Sequence, residues 1–545
     1  MSPTPVHVEI DPWRGAFHIL CALSFAAVAC LLAVHLCRGV SRIRNANDED
    51  QGWTKLALGG FALALLVRLA VPAQLSNWYA AILPATGDAP WERFGPGTYV
   101  FQSLLRAILP WTDTTLFVSN ALLGAALFLP YAGFLRELKL NVWDAGAAIV
   151  LLALFPAHVQ ISASASEHVL SSTLTVLALW AWLRGFAKRD VVLQILALAC
   201  LPAAAFVRGD AWPQLALVAL WPVLAYPPSL PWAHRRIVRW TAVFAVVWLA
   251  TGAALLPALQ NHPLPRAFNF LGAVLGLFPQ FFVYAFQPPF WMPPLMLGLA
   301  LVGAVVLYRT DRRLLAGVVA SLFLIFVPIG RGLGIHIIEA RYFLVSFCIV
   351  GVLSAVGFGK VRRLLDQRLR TRWSSAPVVL GLLAAITATS ALPALTTRYA
   401  FQDEYRFLRG SLQALPDGCL VFSIPARDTR IERDVDAGLA LPSSPLTIVY
   451  PRLIFRELRD GLPEVRGDQC VAYYESALCS IEETPAVKRR LPEAYDVIRG
   501  RCEEVRSSGS FDLIAEAEVS PLALTDVFGG HSPTVRLSRW HLRGR

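Results

Sequence analysis

Residues 334–359, GIHIIEARYFLVSFCIVGVLSAVGFG, pass from a short segment holding His336, Glu339 and Arg341 directly into an unbroken apolar stretch, and KVRRLLDQRLRTR follows at 360–372. A titratable cluster, an apolar run near the ~20 residues that span a bilayer, and then a basic cluster are the marks of a membrane-crossing helix whose basic end lies in the cytoplasm. The pattern recurs along the chain. Comparable runs occupy 16–37, 56–74, 116–136, 142–158, 167–183, 191–207, 211–226, 237–257, 291–308, 314–330, 341–359 and 376–395, which gives twelve candidate spans. The run 271–286, bounded by Pro265 and the pair Pro288 and Pro289, is too short and interrupted for a span and reads as interfacial or re-entrant.

Composition agrees. Of 545 residues, 56% are hydrophobic and 16% charged, against about 25% charged in ordinary soluble domains. The fold class expected is an α-helical polytopic membrane protein with a small C-terminal α/β domain. Apolar continuity stops at ALPALTTRYA, 391–400, so the division falls into a multi-span region 1–397 and a domain 398–545.

Basic residues set the orientation. RGVSRIR (38–44), RELK (136–139), RGFAKR (184–189), HRRIVR (234–239), YRTDRR (308–313) and KVRRLLDQRLRTR (360–372) occupy every second connection. These loops are expected in the cytoplasm of a bacterial inner membrane, with both termini and residues 398–545 outside. The first span lacks a small-residue cleavage pattern and reads as a retained helix. The net charge of +11 does not point to nucleic acid: residues 398–545 hold 20 basic and 22 acidic residues, so the excess belongs to the cytoplasmic loops.

Within the tail, DEYRFLRGSLQAL (403–415) reads as an amphipathic helix through Tyr405, Leu408, Leu412 and Leu415, and CLVFSIP (419–425) as a buried strand. Further strands are expected at 446–450, 470–475, 511–519 and 534–541, with a helix around 484–501. Cys419, Cys470, Cys479 and Cys502 in an outer domain suggest two disulfides, for which three pairings are open. The tail has no phosphate loop, nucleophile elbow or metal-ligand spacing, so docking or shielding outweighs catalysis as its role.

Ionisable groups at the edge of a bilayer are costly and usually have a partner or a task. On the expected outer side lie Asp88, Glu92 and Arg93 in the first loop, His158, Glu167 and His168 in FPAHVQISASASEHVL, and Arg208 and Asp210 in FVRGDAW. His262 and Arg266 in QNHPLPRAF follow, then Arg331, His336, Glu339, Arg341 and Tyr342. Separate acids and cations on one leaflet suit the transfer of a group from a phosphate-linked lipid donor to a polar acceptor: the cations hold the phosphate and a carboxylate takes the acceptor's proton. The plain alternatives are that Glu339 with Arg341, and Arg208 with Asp210, only neutralise each other, that His158 is an interface residue, and that Asp88 and Glu92 are solvated loop charges.

The layout resembles the class C membrane glycosyltransferases, the family of protein mannosyltransferases and lipid A aminoarabinose transferases. FGPGTYVFQSLLRAILP (94–110) resembles the Pro-aromatic part of that family's first outer loop, PAHVQISASASEHVL its outer helix start, and EARYFLVSFCIVGVL its late span before an outer soluble domain. The likeness extends over most of 56–400 as architecture. It implies a sugar transferred from a polyprenyl-phosphate donor to an envelope acceptor, which is a glycan, lipid or protein, on the outer face. Asp88 or Glu92 would be the catalytic base. Arg208, Arg266, His336 and Arg341 would hold the donor phosphate, and Glu167, His168, Asp210, His262, Glu339 and Tyr342 would line the substrate site. The departure is QLSNWYAA (74–81), where Asn77 stands in place of the family's acid, and Asn is no base at neutral pH. A divalent metal is compatible with the outer carboxylates but required by none. An outer-face polysaccharide polymerase or ligase is the alternative. A transporter or a non-catalytic assembly protein fits less well, since the charges gather at span ends and no duplicated halves are visible.

Overall fold

Apolar residues without interruption by polar ones favour helices that satisfy their own backbone hydrogen bonds, as a bilayer demands. In the computed structural model of the chain, each expected apolar run falls on helix wherever it is described. The structure describes residues 12–43, 48–71, 96–110, 112–164, 166–209, 211–225, 231–260, 293–326, 344–369, 375–396, 400–424, 446, 449–458, 462, 469–480, 492–519 and 532–542.

The first helices are α1 (Pro12–Ile43), α2 (Asp48–Ala70), α3 (Pro96–Ile108), α4 (Asp113–Ala126), α5 (Phe128–Glu137), α6 (Val142–Ala153) and α7 (Pro156–Ser162). Then come α8 (Glu167–Lys188), α9 (Val191–Val207), α10 (Ala211–Gln214), α11 (Ala216–Ala225), α12 (Pro231–Gln260), α13 (Pro294–Thr310), α14 (Arg312–Phe326), α15 (Leu344–Leu369) and α16 (Ala376–Thr396). Among the described residues, seven helical segments, one of them α4 with α5, are long and apolar enough to cross a membrane; α6 with α7 makes an eighth if that pair, bent by 60°, is one span. The expected run 142–158 is therefore broken, and the break has a local cause. Pro156 opens α7, and the residue before a proline avoids the helical region, so Phe155 is extended at φ −68°, ψ 115°.

The exposed flanks of these helices are apolar: Leu66 is 69% and Val378 74% exposed, as a lipid-facing surface requires. Inside, α13 and α15 pack closely because Gly303 and Gly357 face each other's helix. A Cβ on either would run into the carbonyl of Leu353 or Leu299. Charges at one end of the bundle pair off. Arg136 binds Asp50, Arg184 Nη1 lies 2.5 Å from Glu137 Oε1, and Arg362 Nε lies 3.1 Å from Asp144 Oδ1. All three arginines belong to basic clusters that the sequence expects on the cytoplasmic side.

After α17 (Ala400–Ser411) the chain enters a five-stranded sheet, β1 (Leu420–Ser423), β2 (Ile454–Glu457), β3 (Val471–Glu475), β4 (Gly509–Glu518) and β5 (Thr534–Leu542), with α18 (Pro492–Ser508) before β4. The spatial order is β2-β1-β3-β5-β4. β1 runs parallel to β2 and β3, while β5 is antiparallel to β3 and β4. Tyr405, Leu408, Leu412 and Leu415 are all buried on the sheet, as their spacing required. The strand expected at 446–450 is not one. Leu446 and Val449 are in helical turns, and the strand that joins β1 is Ile454–Glu457. A tight turn intervenes, in which Leu453 N–H bonds Tyr450 O. The pairings left open in the sequence are Cys419–Cys470 and Cys479–Cys502. The first ties the residues entering β1 and β3, and the second pins α18 to the turn after β3. Cross-links of this kind contribute about 2–4 kcal/mol each.

One core carboxyl stands out. Glu404, on α17, is fully buried, accepts a hydrogen bond from the Tyr474 hydroxyl, and is pushed by burial from 4.5 up to about 8. Between those two values the folded chain keeps a proton that the unfolded chain releases, so stability falls as pH rises from about 4.5 to about 8. Glu404→Gln is expected to flatten that part of the thermal-midpoint profile and to raise the midpoint at pH 8. An unchanged slope would assign the pH dependence to another group.

Candidate functional site

The opposite end of the bundle is organised by a helical hairpin. α8 and α9 are joined by a turn in which Arg189 adopts a left-handed conformation, φ 55°, and Asp190 caps α9 by accepting from Val192 and Leu193 N–H. Two antiparallel helices of similar length must bring the start of the first beside the end of the second. Glu167, at the first position of α8, therefore meets Arg208, just past α9: Nη1 lies 2.5 Å from Oε1. Each charge suits its own helix end, an acid at an N-terminus and a cation at a C-terminus. Both are buried, at 4% exposure each, and His168 Nε2 lies 3.5 Å from the same carboxylate oxygen.

The amphipathic helix α3 closes this pair from the side. Gly97 permits the approach, since a Cβ there would collide with the Val207 backbone, and Thr98 Oγ1 reaches Val207 O at 3.5 Å. A small cavity of about 30 Å³ remains between α3, α4 and α8, lined by Gln102, Asn120, Ser166 and Glu167 among apolar side chains. Gln102 Oε1 and Ser166 Oγ are buried without hydrogen-bond partners among the described residues. Room for one water beside two such acceptors meets the requirements of a hydrated polar site.

Asn120 extends the network by donating to the carbonyls of Ile161, Ser162 and Ser164. Ser162 Oγ lies 3.3 Å from His158 Nδ1, and Arg68 Nη2 lies 2.5 Å from that same nitrogen. A guanidinium has no lone pair to offer, so Nδ1 accepts and the imidazole is neutral in this arrangement. His158 is fully buried, which overturns its reading as an interface residue. It was drawn inward because Pro156 turns α7 away from α6.

Beside Arg68 opens a cleft of about 330 Å³ between the helical part and α17, lined by Arg68, Asp113, Thr114, Tyr405, Arg406 and Arg409 among others. Asp113 starts α4 behind the cap Thr112, whose hydroxyl accepts from Thr115 N–H. Its carboxylate accepts from the Tyr405 hydroxyl at 2.5 Å and from Arg409 Nε at 2.8 Å, which docks the α/β unit onto the helices. The Asp113 bond raises the Tyr405 hydroxyl, after burial, and holds the Arg409 guanidinium above its ordinary value.

Of the residues the sequence singled out, Glu167, His168 and Arg208 come together. Arg208, expected on a donor phosphate, has Glu167 as its ion-pair partner. Asp88, Glu92, Asp210, His262, Arg266, Arg331, His336, Glu339, Arg341, Tyr342 and Asn77 lie outside the described residues, as does the run 271–286. Arg68, Asp113, Asn120, Tyr405 and Arg409 were not foreseen. Arg68 had one signal, a lone cation in the last turn of an otherwise apolar run, and Asp113 another, an acid directly after a Thr cap. Among the described residues no three His, Cys, Asp or Glu side chains gather as metal ligands.

No protein-family model matches the chain, and no curated protein matches it. Solved structures similar to it include two of ArnT from Cupriavidus metallidurans, one in the apo state and one bound to undecaprenyl phosphate. Each is 14% identical over 90% of this chain and 98% of its own, with TM-scores of 0.45 and 0.43. ArnT is an aminoarabinose transferase of the class C type, the kind of protein that the sequence resembles. With TM-scores below 0.5, the role of each residue here rests on its own geometry.

The Glu167–Arg208 pair makes a direct test of that geometry. Arg208→Met alone leaves a buried carboxylate without its cation and is expected to destabilise the protein by about 3–5 kcal/mol. Adding Glu167→Gln should recover most of the loss in thermal unfolding of the purified protein. A double variant no more stable than the single one would show that the two groups act separately.

Proposed function

We propose that this chain is a membrane glycosyltransferase that moves a sugar from a polyprenyl-phosphate donor to an envelope acceptor on the outer face of a bacterial inner membrane. The observation that carries the reading is the contrast between the two ends of the bundle. At one end acids and bases pair across neighbouring helices near the ends of basic loops. At the other, Glu167, which holds Arg208 and His168, lines one cavity and Arg68 and Asp113 line another, with polar atoms beside them that are unpaired among the described residues. Static neutralisation has no use for cavities, whereas substrates do.

In this reading the twelve apolar runs cross the membrane, residues 1–397 form the transferase body, and both termini lie outside with the domain 398–545. Asp88 or Glu92, in the stretch of sequence between 71 and 96, takes the proton from the acceptor, and Glu167 with His168 shapes the acceptor cleft. Arg208, Arg266, His336 and Arg341 stabilise the charge that grows on the lipid phosphate as the sugar leaves, while Asp210, His262, Glu339 and Tyr342 complete the substrate site. Direct attack by the acceptor inverts the sugar carbon. The ArnT structure bound to undecaprenyl phosphate is consistent with a lipid phosphate as donor. Asn77, where the resembled family has an acid, keeps an outer-face polysaccharide polymerase or ligase as the second reading.

Transfer of label from a defined polyprenyl-phosphate sugar to envelope acceptors tests the assignment. One of Asp88→Asn and Glu92→Gln should lower kcat by about 100-fold or more, the range for losing a general base, and Arg341→Ala should lower kcat/KM. Wild-type turnover in all three variants at normal expression would discard the site.

A further inference from the structure

The end of the bundle where Arg184 meets Glu137 is rich in cations. RGFAKRDVVLQI (184–195) closes α8 and opens α9, and RRIVRW (235–240) lies in the first turns of α12. Both stretches adjoin ends of segments long and apolar enough to cross a membrane, Glu167–Lys188 and Arg235–Leu255. Across 188–195 and 235–244, five cations, Lys188, Arg189, Arg235, Arg236 and Arg239, stand against one acid, Asp190. Asp190 caps α9 by accepting from Val192 and Leu193 N–H, and Glu137 is paired with Arg184.

Packing draws part of this charge to one seam. Trp182 of α8 meets Trp240 of α12 edge-on, with ring centroids 6.2 Å apart, and Arg236, one turn before Trp240, lays its guanidinium over the Phe186 ring at 5.9 Å. Arg236 Nη2 donates to Gln194 Oε1 of α9 at 2.9 Å and reaches Gly185 O at 3.4 Å. The guanidinium is thus fixed where α8, α9 and α12 meet, close enough to Arg189 to be repelled by it and with no carboxylate partner among the described residues. Arg236 Nε and Gln194 Nε2 are buried donors that find no acceptor among those residues. Arg235 and Arg239, on the same helix, are exposed.

An anion supplies both the counter-charge that Arg236 lacks and an acceptor for the N–H groups beside it. Position selects the kind of anion. The seam lies within two turns of span ends, at the level of lipid headgroups, and exposed apolar side chains run on from it: Ile195 beside Gln194 on α9, then Val238 and Val246 on α12. A phospholipid presents its groups in the same order, phosphate outermost and acyl chains beneath, and basic pockets between membrane helices take anionic headgroups in this way. We infer that this seam binds an anionic phospholipid of the surrounding bilayer, its headgroup held by Arg236 with Arg235 and Arg239 and its chains lying on the apolar flanks of α9 and α12. The lipid is a structural companion and not a substrate, since the cavities beside Glu167 and Arg68 lie at the opposite end of the bundle. The inference does not rest on the transferase reading, and either stands without the other.

The test titrates the full chain in detergent with phosphatidylglycerol, with phosphatidylcholine of the same chain length and with inorganic phosphate, reading bound lipid by native mass spectrometry and the thermal midpoint alongside. Phosphatidylglycerol is expected to bind saturably and to raise the midpoint, and the other two probes to do neither. Replacing both exposed arginines, Arg235→Gln with Arg239→Gln, should weaken that binding by about tenfold or more, because each cation at a membrane surface adds to the attraction. Arg235→Lys with Arg239→Lys should retain most of it. Since both side chains are exposed, these double variants should melt like the wild type without lipid. Arg236→Gln should weaken binding several-fold. Equal binding of the two phospholipids, inorganic phosphate binding as tightly as phosphatidylglycerol, or wild-type affinity in the double glutamine variant would overturn the inference.

Discussion

A charge placed among apolar helices must find a counter-charge, a hydrogen-bond network or water, because the surroundings supply none. That constraint orders this protein. It places ionisable side chains at helix ends, and it requires those ends to meet. The turn at Arg189 and Asp190 sets α8 and α9 antiparallel, and Glu167 and Arg208, 41 residues apart, become neighbours. Their pairing in turn fixes where α3 can lie, since Thr98 and Gly97 rest on the backbone at the end of α9.

The same constraint joins the α/β unit to the helices. Without Tyr405 and Arg409, Asp113 at the start of α4 would keep only its bonds from Thr114 and would lose its cation. Those two side chains project from α17, which is anchored in the core of the sheet by Leu408 and, just past its end, Leu412. α17 is therefore rigid on the sheet side and polar on the helix side, and Phe117 of α4 packs against the same core. Two disulfides hold the sheet and α18 in register behind it. A docking surface built this way positions arginines over a cleft with more precision than a loop would.

The two cavities differ in kind. The smaller, beside Glu167, holds room for about one water and adjoins acceptors that lack partners among the described residues. The larger opens between the two units and is rich in guanidinium groups. Both lie at the same end of the bundle.

Periodicity and composition by themselves determined the helical class, the position of each apolar run, the amphipathic face of α17 and four of the five strands, because those follow from neighbours in sequence. The arginines that pair off at one end come from the basic clusters. The exceptions are instructive. The span 142–158 is bent because of Pro156, and the strand expected near 446 sits at Ile454–Glu457 because a turn consumes the intervening residues. The disulfide pairing, the burial of His158 and the partnership of Asp113 with residues almost 300 positions away were decided only by the tertiary structure. Local pattern reports which face of a helix is apolar. Which helix ends become neighbours depends on how the turns aim them, and it is at those meetings that charge, cavity and chemistry arise.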